Sequence, residues 1–130
     1  MGKRKRLPAL SDAQLEIMNI VWDEGEVTVQ AVLKRLQQNR SVARNTVQTV
    51  ISRLAERSWL RYRREGNKFV YRATRPRRDS QGHVLQRIID NAFAGSADGL
   101  VRALVETQDL STEEIERIQQ LLEEVKRSKS

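Results

Sequence analysis

The 130-residue chain has no cysteine, a single histidine, two prolines and six glycines, and only 5% of it is aromatic. Without cysteine there can be no disulfide scaffold, thiolate metal site, redox pair or thiol nucleophile, and the composition fits a reducing, cytoplasmic setting. One histidine, His83, cannot build a metal centre alone. Near the start of a helical pattern it reads as solvated or as the neighbour of a cap. No glycine-rich phosphate loop is present and no Ser or carboxylate frames His83, so the chain reads as a non-enzyme with no cofactor. No window approaches the ~18 consecutive apolar residues of a membrane-spanning helix, and insertion into a membrane is not expected. Met1-Gly2-Lys3-Arg4-Lys5-Arg6 has no apolar segment behind it, so it reads as a basic arm rather than a signal peptide.

What is present is charge, unevenly spread. The chain carries 24 Lys and Arg against 17 Asp and Glu, net +7. Residues 1–78 hold 18 basic and 7 acidic side chains, net +11, whereas residues 79–130 hold 6 and 10, net −4. Such a split suggests one half built for a polyanion, with nucleic acid the leading candidate, and another half built for something else.

The basic half has a legible order. Ser11-Asp12-Ala13-Gln14 is a capping-box pattern opening a first helix with apolar Leu15, Ile17, Met18, Ile20, Val21 and Trp22. Asp23-Glu24-Gly25-Glu26 breaks it, and Thr28 can cap a second helix whose Val29, Val32, Leu33 and Leu36 follow the helical repeat. After a polar turn at residues 37–41, a third helix over residues 42–57 buries Val47, Val50, Ile51 and Leu54. Its other side gathers Asn45, Thr46, Gln48, Thr49, Ser52, Arg53 and Glu56. A face needing only solubility is usually filled with Glu, Lys and Gln, which are better helix formers than Thr, Asn or Ser. Short hydrogen-bonding side chains followed by an arginine suit base edges in a major groove: Asn or Gln for adenine, Thr for a methyl, Arg for guanine. Asn45, Thr46, Gln48, Thr49 and Arg53 are therefore the candidate base readers.

Leu60 to Arg64 and Phe69 to Thr74 then alternate with period two on either side of a Gly66-Asn67 turn, which predicts a β-hairpin. Its outward face would show Arg61, Arg63 and Arg72 with Lys68 near the tip. Together with Arg44 these are candidate phosphate contacts. Three helices followed by a basic hairpin make a winged helix-turn-helix. Basic residues on an edge hairpin also discourage edge-to-edge pairing, a duller use of the same residues.

Arg75-Pro76-Arg77-Arg78 looks like a basic linker, and beyond it only helical patterns remain. One helix carries Val84, Leu85, Ile88, Ile89, Ala92 and Phe93; a shorter one carries Leu100, Val101, Leu104 and Val105; the last opens at Ser111 with a second capping-box pattern and carries Ile115, Ile118, Leu121, Leu122 and Val125. The first-turn carboxylates Glu113, Glu114 and Glu116 suit the helix dipole. About fifty residues in three short helices make a poor independent core. Leu85, Ile88, Ile89, Phe93, Leu100, Leu104, Ile115, Ile118, Leu122 and Val125 are the candidate dimerisation residues, and a twofold dimer would match a palindromic site. Folding back on the same chain is the competing use of these faces. The expected organisation is a flexible arm at 1–9, a winged-helix domain at 10–75 and a helical dimerisation region at 76–130: mainly α with a small β-hairpin. A small RNA-binding or ribosome-associated protein remains the alternative, although an A-form major groove is too narrow for a reading helix.

Met18-Asn19-Ile20-Val21-Trp22, Thr46-Val47-Gln48-Thr49 with Ser52-Arg53-Leu54, Tyr71, and Leu100-Val101 through Asp109-Leu110-Ser111 to Glu113-Glu114-Ile115 occur in an order that resembles the penicillinase repressor family, BlaI/MecI with its copper-responsive CopY branch. The resemblance implies a homodimeric repressor that binds inverted-repeat double-stranded DNA. It also implies intertwined C-terminal helices and release through a membrane-bound metalloprotease sensor that leads to cleavage, aligned here with Ala103-Leu104. Where the family has basic residues around the two threonines of the third helix, this chain has Asn45 and Gln48, so its operator preference is expected to differ. The missing cysteines exclude the thiolate copper switch of the CopY branch.

Overall fold

The structure, a computed structural model, describes residues 7–129. The basic arm at Lys3–Arg6 lies outside these residues. The element order is α1 (Asp12–Glu24), β1 (Glu26–Val27), α2 (Val29–Gln37), α3 (Arg44–Glu56), β2 (Leu60–Glu65), β3 (Lys68–Ala73), α4 (Arg78–Ala92), α5 (Ala97–Thr107) and α6 (Thr112–Ser128). The chain divides into two compact units at Leu85/Gln86, so the first extends past the expected boundary at residue 75 into α4.

Helix α1 starts as its residues dictate. The Ser11 hydroxyl accepts from the Gln14 amide at 3.2 Å, and the Gln14 side chain accepts from the Ser11 amide at 2.9 Å. It ends at Gly25, whose φ of +88° suits a residue without Cβ. Thr28 caps α2 by accepting from the Ala31 amide at 3.1 Å. Ile17, Met18, Ile20 and Val21 of α1 meet Val29, Val32, Leu33 and Leu36 of α2 and Val47, Ile51 and Leu54 of α3 in one core, closed by Leu10, Trp59, Leu60 and Tyr71.

The hairpin is present with its turn at Gly66, but it belongs to a three-stranded antiparallel sheet of order β1-β3-β2. The sequence reading has no β1. Its two residues pair Glu26 with Arg72 and Val27 with Tyr71, burying Val27 on the core side and placing Glu26 outside. Two residues carry no period to read, which is why this strand goes unseen in the sequence. The expected arm also ends earlier than residue 9: Leu7 packs against the core and the Pro8 carbonyl accepts from Trp59 Nε1 at 2.8 Å.

Helix α3 closes with an unusual residue. The Trp59 amide donates to the Leu54 carbonyl at 3.0 Å and the Ser58 amide to the Ala55 carbonyl at 3.1 Å, the paired bonds of a Schellman motif, with Leu54 and Trp59 both buried. The left-handed position of that motif is Ser58, at φ +71°. A serine there costs about 1–2 kcal/mol, and glycine would lose about 0.5–1 kcal/mol more chain entropy on folding. Ser58→Gly is therefore expected to stabilise the protein by about 0.5–1 kcal/mol, seen as a higher denaturant midpoint at unchanged slope. A lowered midpoint would mean that the Ser58 side chain has a compensating role.

In the second unit, α4 ends at Ala92 and Gly95 at φ +83° lies in the turn that follows, Ser96 caps α5 by accepting from Gly99 at 2.9 Å, and Ser111 caps α6 by accepting from Glu114 at 3.1 Å. Only that half of the expected second box forms among the described residues. No described residue after Leu85 is buried; Ile89, Phe93, Leu100 and Ile118 are half-buried, while Ile88, Leu104, Ile115, Leu122 and Val125 are exposed. Among the described residues no helix is long and apolar enough to cross a membrane.

Candidate nucleic-acid interface

Helices α2 and α3 and their connection form the helix-turn-helix. Amides of Asn39 and Arg40 bond the Leu36 carbonyl at 3.2 and 3.3 Å, and Gln37 Nε2 donates to the Val42 carbonyl at 3.2 Å. Arg40, in the turn, grips both oxygens of Glu16 on α1 at 2.5 and 2.7 Å, and its guanidinium holds the Glu16 carboxyl below the ordinary carboxylate range. Arg44, the first residue of α3, donates to Gln30 Oε1 on α2 at 2.6 Å. The angle of α3 is thus set from both sides. The third helix begins at Arg44 rather than at residue 42, because Ala43 is extended and provides no side-chain cap. Among the described residues no side chain caps this end, and an uncapped helix start favours an anion.

Asn45, Thr46, Gln48, Thr49 and Arg53 all lie on the exposed side of α3, opposite buried Val47, Ile51 and Leu54. Thr49 Oγ1 donates to the Asn45 carbonyl at 2.9 Å, which uses its hydrogen and leaves its lone pairs and methyl outward. Gln48 Nε2 donates weakly to Ser52 Oγ at 3.3 Å. Arg53 has no hydrogen bond or ion pair among the described residues, so the fork of donors that matches a guanine edge is unspent.

The strand register sorts the hairpin arginines. Arg61 stands directly opposite Arg72, and Arg63 opposite Val70, all on the outward face. Like charges facing across a strand pair are destabilising by themselves, and a shallow cleft of about 210 Å³ lined by Arg61, Tyr62, Arg63, Val70 and Arg72 lies between them. An anion in that cleft would relieve the repulsion. Arg63 differs from its neighbours. It is ion-paired with Glu26 of β1 and with Glu65 at 2.9 Å, and hydrogen bonding from Arg63, with a smaller contribution from Arg72, holds the Glu26 carboxyl below its ordinary range. Arg61 and Lys68 have no such partner among the described residues. The expected phosphate set therefore starts out divided, with Arg61, Lys68 and Arg72 unbonded and Arg44 and Arg63 engaged within the fold.

Sequence reading passes over two cations near this surface. Arg57 is exposed just beyond α3, and Arg64 lies at the hairpin tip with its Nε bonded to the Gly66 carbonyl at 3.2 Å. Both carry the ordinary signal of a basic residue next to a candidate contact element. Tyr62 and Phe69, exposed and edge to face at 5.3 Å, share the other hairpin face with buried Tyr71. His83 is half-buried rather than solvated, and its Nδ1 is shielded without a hydrogen-bond partner.

Comparison with known proteins places this geometry. A family model described as penicillinase repressor matches residues 10–124. The penicillinase repressor of Bacillus licheniformis is 30% identical over 125 residues, covering 96% of this chain and 98% of that protein. The solution structure of the DNA-binding domain of the repressor BlaI is 32% identical with a TM-score of 0.52, over 58% of this chain and 92% of that one. The monomeric form of Bacillus licheniformis BlaI in complex with the blaP half-operator is 32% identical with a TM-score of 0.50, over 56% of this chain and 89% of that one. The chain belongs to the penicillinase repressor family, a family of DNA-binding transcriptional regulators of the BlaI/MecI type and not of enzymes.

Proposed function

We propose that this protein represses transcription in the cytoplasm as a homodimer on inverted-repeat operator DNA, with the α3 of each protomer in successive major grooves. One observation carries the reading: an exposed α3 face of short polar residues and an unspent Arg53 stands on the same unit as a cleft where Arg61 and Arg72 face each other. Asn45, Thr46, Gln48, Thr49 and Arg53 read base edges; Arg61, Lys68 and Arg72 hold phosphates and set register. Arg44 joins them by exchanging Gln30 for the backbone. The relative bound to a half-operator supports the DNA partner.

Release by proteolysis belongs to the same reading, with a membrane-bound metalloprotease sensor upstream and Ala103-Leu104 as the position. That bond lies inside α5, where the Ala103 carbonyl accepts from Thr107 Oγ1 at 2.6 Å and the Leu104 carbonyl from the Gln108 amide at 3.0 Å. A protease takes extended chain, so α5 has to open before it is cut.

The test separates base reading from charge. Arg53→Ala is expected to cost about 1–3 kcal/mol on the operator and little on random duplex, whereas Lys68→Ala weakens every duplex alike and lowers the salt slope by about 1. Equal losses on operator and random duplex for Arg53→Ala would remove it from the readers. Preference for structured RNA over duplex at fixed salt would overturn the reading as a whole.

A further inference from the structure

The segment Arg75 to Arg78 reads in sequence as a basic linker, and the structure shows it fastened. Trp22 Nε1 donates to the Arg75 carbonyl at 2.8 Å. The Arg77 guanidinium lies over the Trp22 ring, 5.6 Å from its centroid. Its Nη2 donates to Asp23 Oδ1 at 2.6 Å and to the Asn19 carbonyl at 3.1 Å, and its Nε donates to Asn19 Oδ1 at 3.3 Å. Ser80, 2% exposed, donates from its hydroxyl back to the Arg77 carbonyl at 2.8 Å, which seats the first turn of α4.

The contacts do not stop at α1. The second oxygen of Asp23 lies 3.7 Å from Arg35 Nη2 on α2, and Arg35 Nη1 holds Glu24 at 2.6 Å. The opening of α4, the end of α1 and the first helix of the helix-turn-helix therefore share one charged network. The Arg77 hydrogen bond also holds the Asp23 carboxyl below its ordinary range. A guanidinium with this many intramolecular bonds has few donors left for phosphate, so the positive charge of the segment has another use.

We propose that Arg77 is a positioning residue: by fastening the start of α4 to α1, it fixes the direction in which the chain leaves the DNA-binding unit, and so the separation of half-sites that a dimer accepts. This rests on the dimeric repressor reading above. One added base pair turns the second half-site by about 34–36° and moves it by about 3.4 Å. Two reading units on fastened helices cannot follow that change, whereas units on loose ones can.

The experiment uses the full chain and duplexes carrying one half-site, or two half-sites whose spacing varies one base pair at a time. For the wild type, affinity is expected to peak at one spacing. It should fall toward the single half-site value at neighbouring spacings, a loss on the order of a hundredfold as simultaneous engagement fails. Arg77→Gln is expected to flatten the profile to within about fivefold while leaving single half-site affinity unchanged. Asp23→Asn, which keeps an acceptor but removes the charge, should flatten it partially. Thermal melts establish that both variants are folded. A wild-type spacing profile in Arg77→Gln would overturn the proposal, as would an equal loss on the single half-site, which would make Arg77 a DNA contact. If the wild type binds two half-sites no tighter than one, the dimeric reading itself fails and takes this inference with it.

Discussion

Trp59→Ala is expected to destabilise the DNA-binding unit by about 3–5 kcal/mol, the usual cost of removing a large buried aromatic. Trp59 is 1% exposed and joins α3 to β2. Its amide closes the Schellman bond to Leu54, its Nε1 holds the Pro8 carbonyl at 2.8 Å, and its ring meets Trp22 edge to face at 6.4 Å. The N-terminal segment and α1 lean directly on this side chain, which also fills the core shared with α3 and β2. Folded domains hold only about 5–15 kcal/mol in total, so the loss takes a large share of the stability that keeps α3 in register with the hairpin. Trp59→Phe keeps most of the packing but strands the Pro8 carbonyl, with an expected cost of about 1–3 kcal/mol. Urea unfolding of both variants checks the order. A cost below about 1 kcal/mol for the alanine variant would show that the segment before α1 and the wing are held by other contacts.

How far the sequence speaks depends on the range of the interaction. The caps at Ser11, Thr28 and Ser111, the buried stripe of α3 and the Gly66 turn are legible because each signal lies within a few residues of its effect. The exposed α3 face is legible for the same reason: the helical period alone puts Asn45, Thr49 and Arg53 away from Val47, Ile51 and Leu54. What is hidden depends on pairs distant in the chain. Arg63 reads like Arg61 until β1 brings Glu26 beside it, 37 residues away in sequence. Arg77 reads as linker charge until Asp23, 54 residues away, is found under it. Charge counting gives every arginine the same weight; the fold divides them into those that hold the protein together and those still free to meet an anion.

Placing a charge in the C-terminal apolar face is expected to break the proposed dimer. Ile88, Val101, Leu104, Val105, Ile115, Leu121, Leu122 and Val125 are each 42–61% exposed in the single chain, and no described residue beyond Leu85 is buried. A unit of this size in which no described residue is buried gains little stability by itself, and this many exposed apolar side chains call for a partner surface. A second copy would meet that need with the same faces, the twofold arrangement that matches the inverted-repeat operator proposed above. Leu122→Lys with Val125→Lys puts two unpaired ammonium groups into the proposed interface, where burial of an unpaired charge is costly. On the dimeric reading proposed above, sedimentation should then show a monomer at concentrations where the unsubstituted chain sediments as a dimer. Single half-site binding should persist, because α3 and the wing belong to the other unit. Affinity for the full operator should fall by a factor on the order of 10²–10⁴, the gain that bivalent engagement provides. A doubly substituted chain that still sediments as a dimer would place the interface elsewhere, and one that binds the full operator undiminished would show that a single unit suffices.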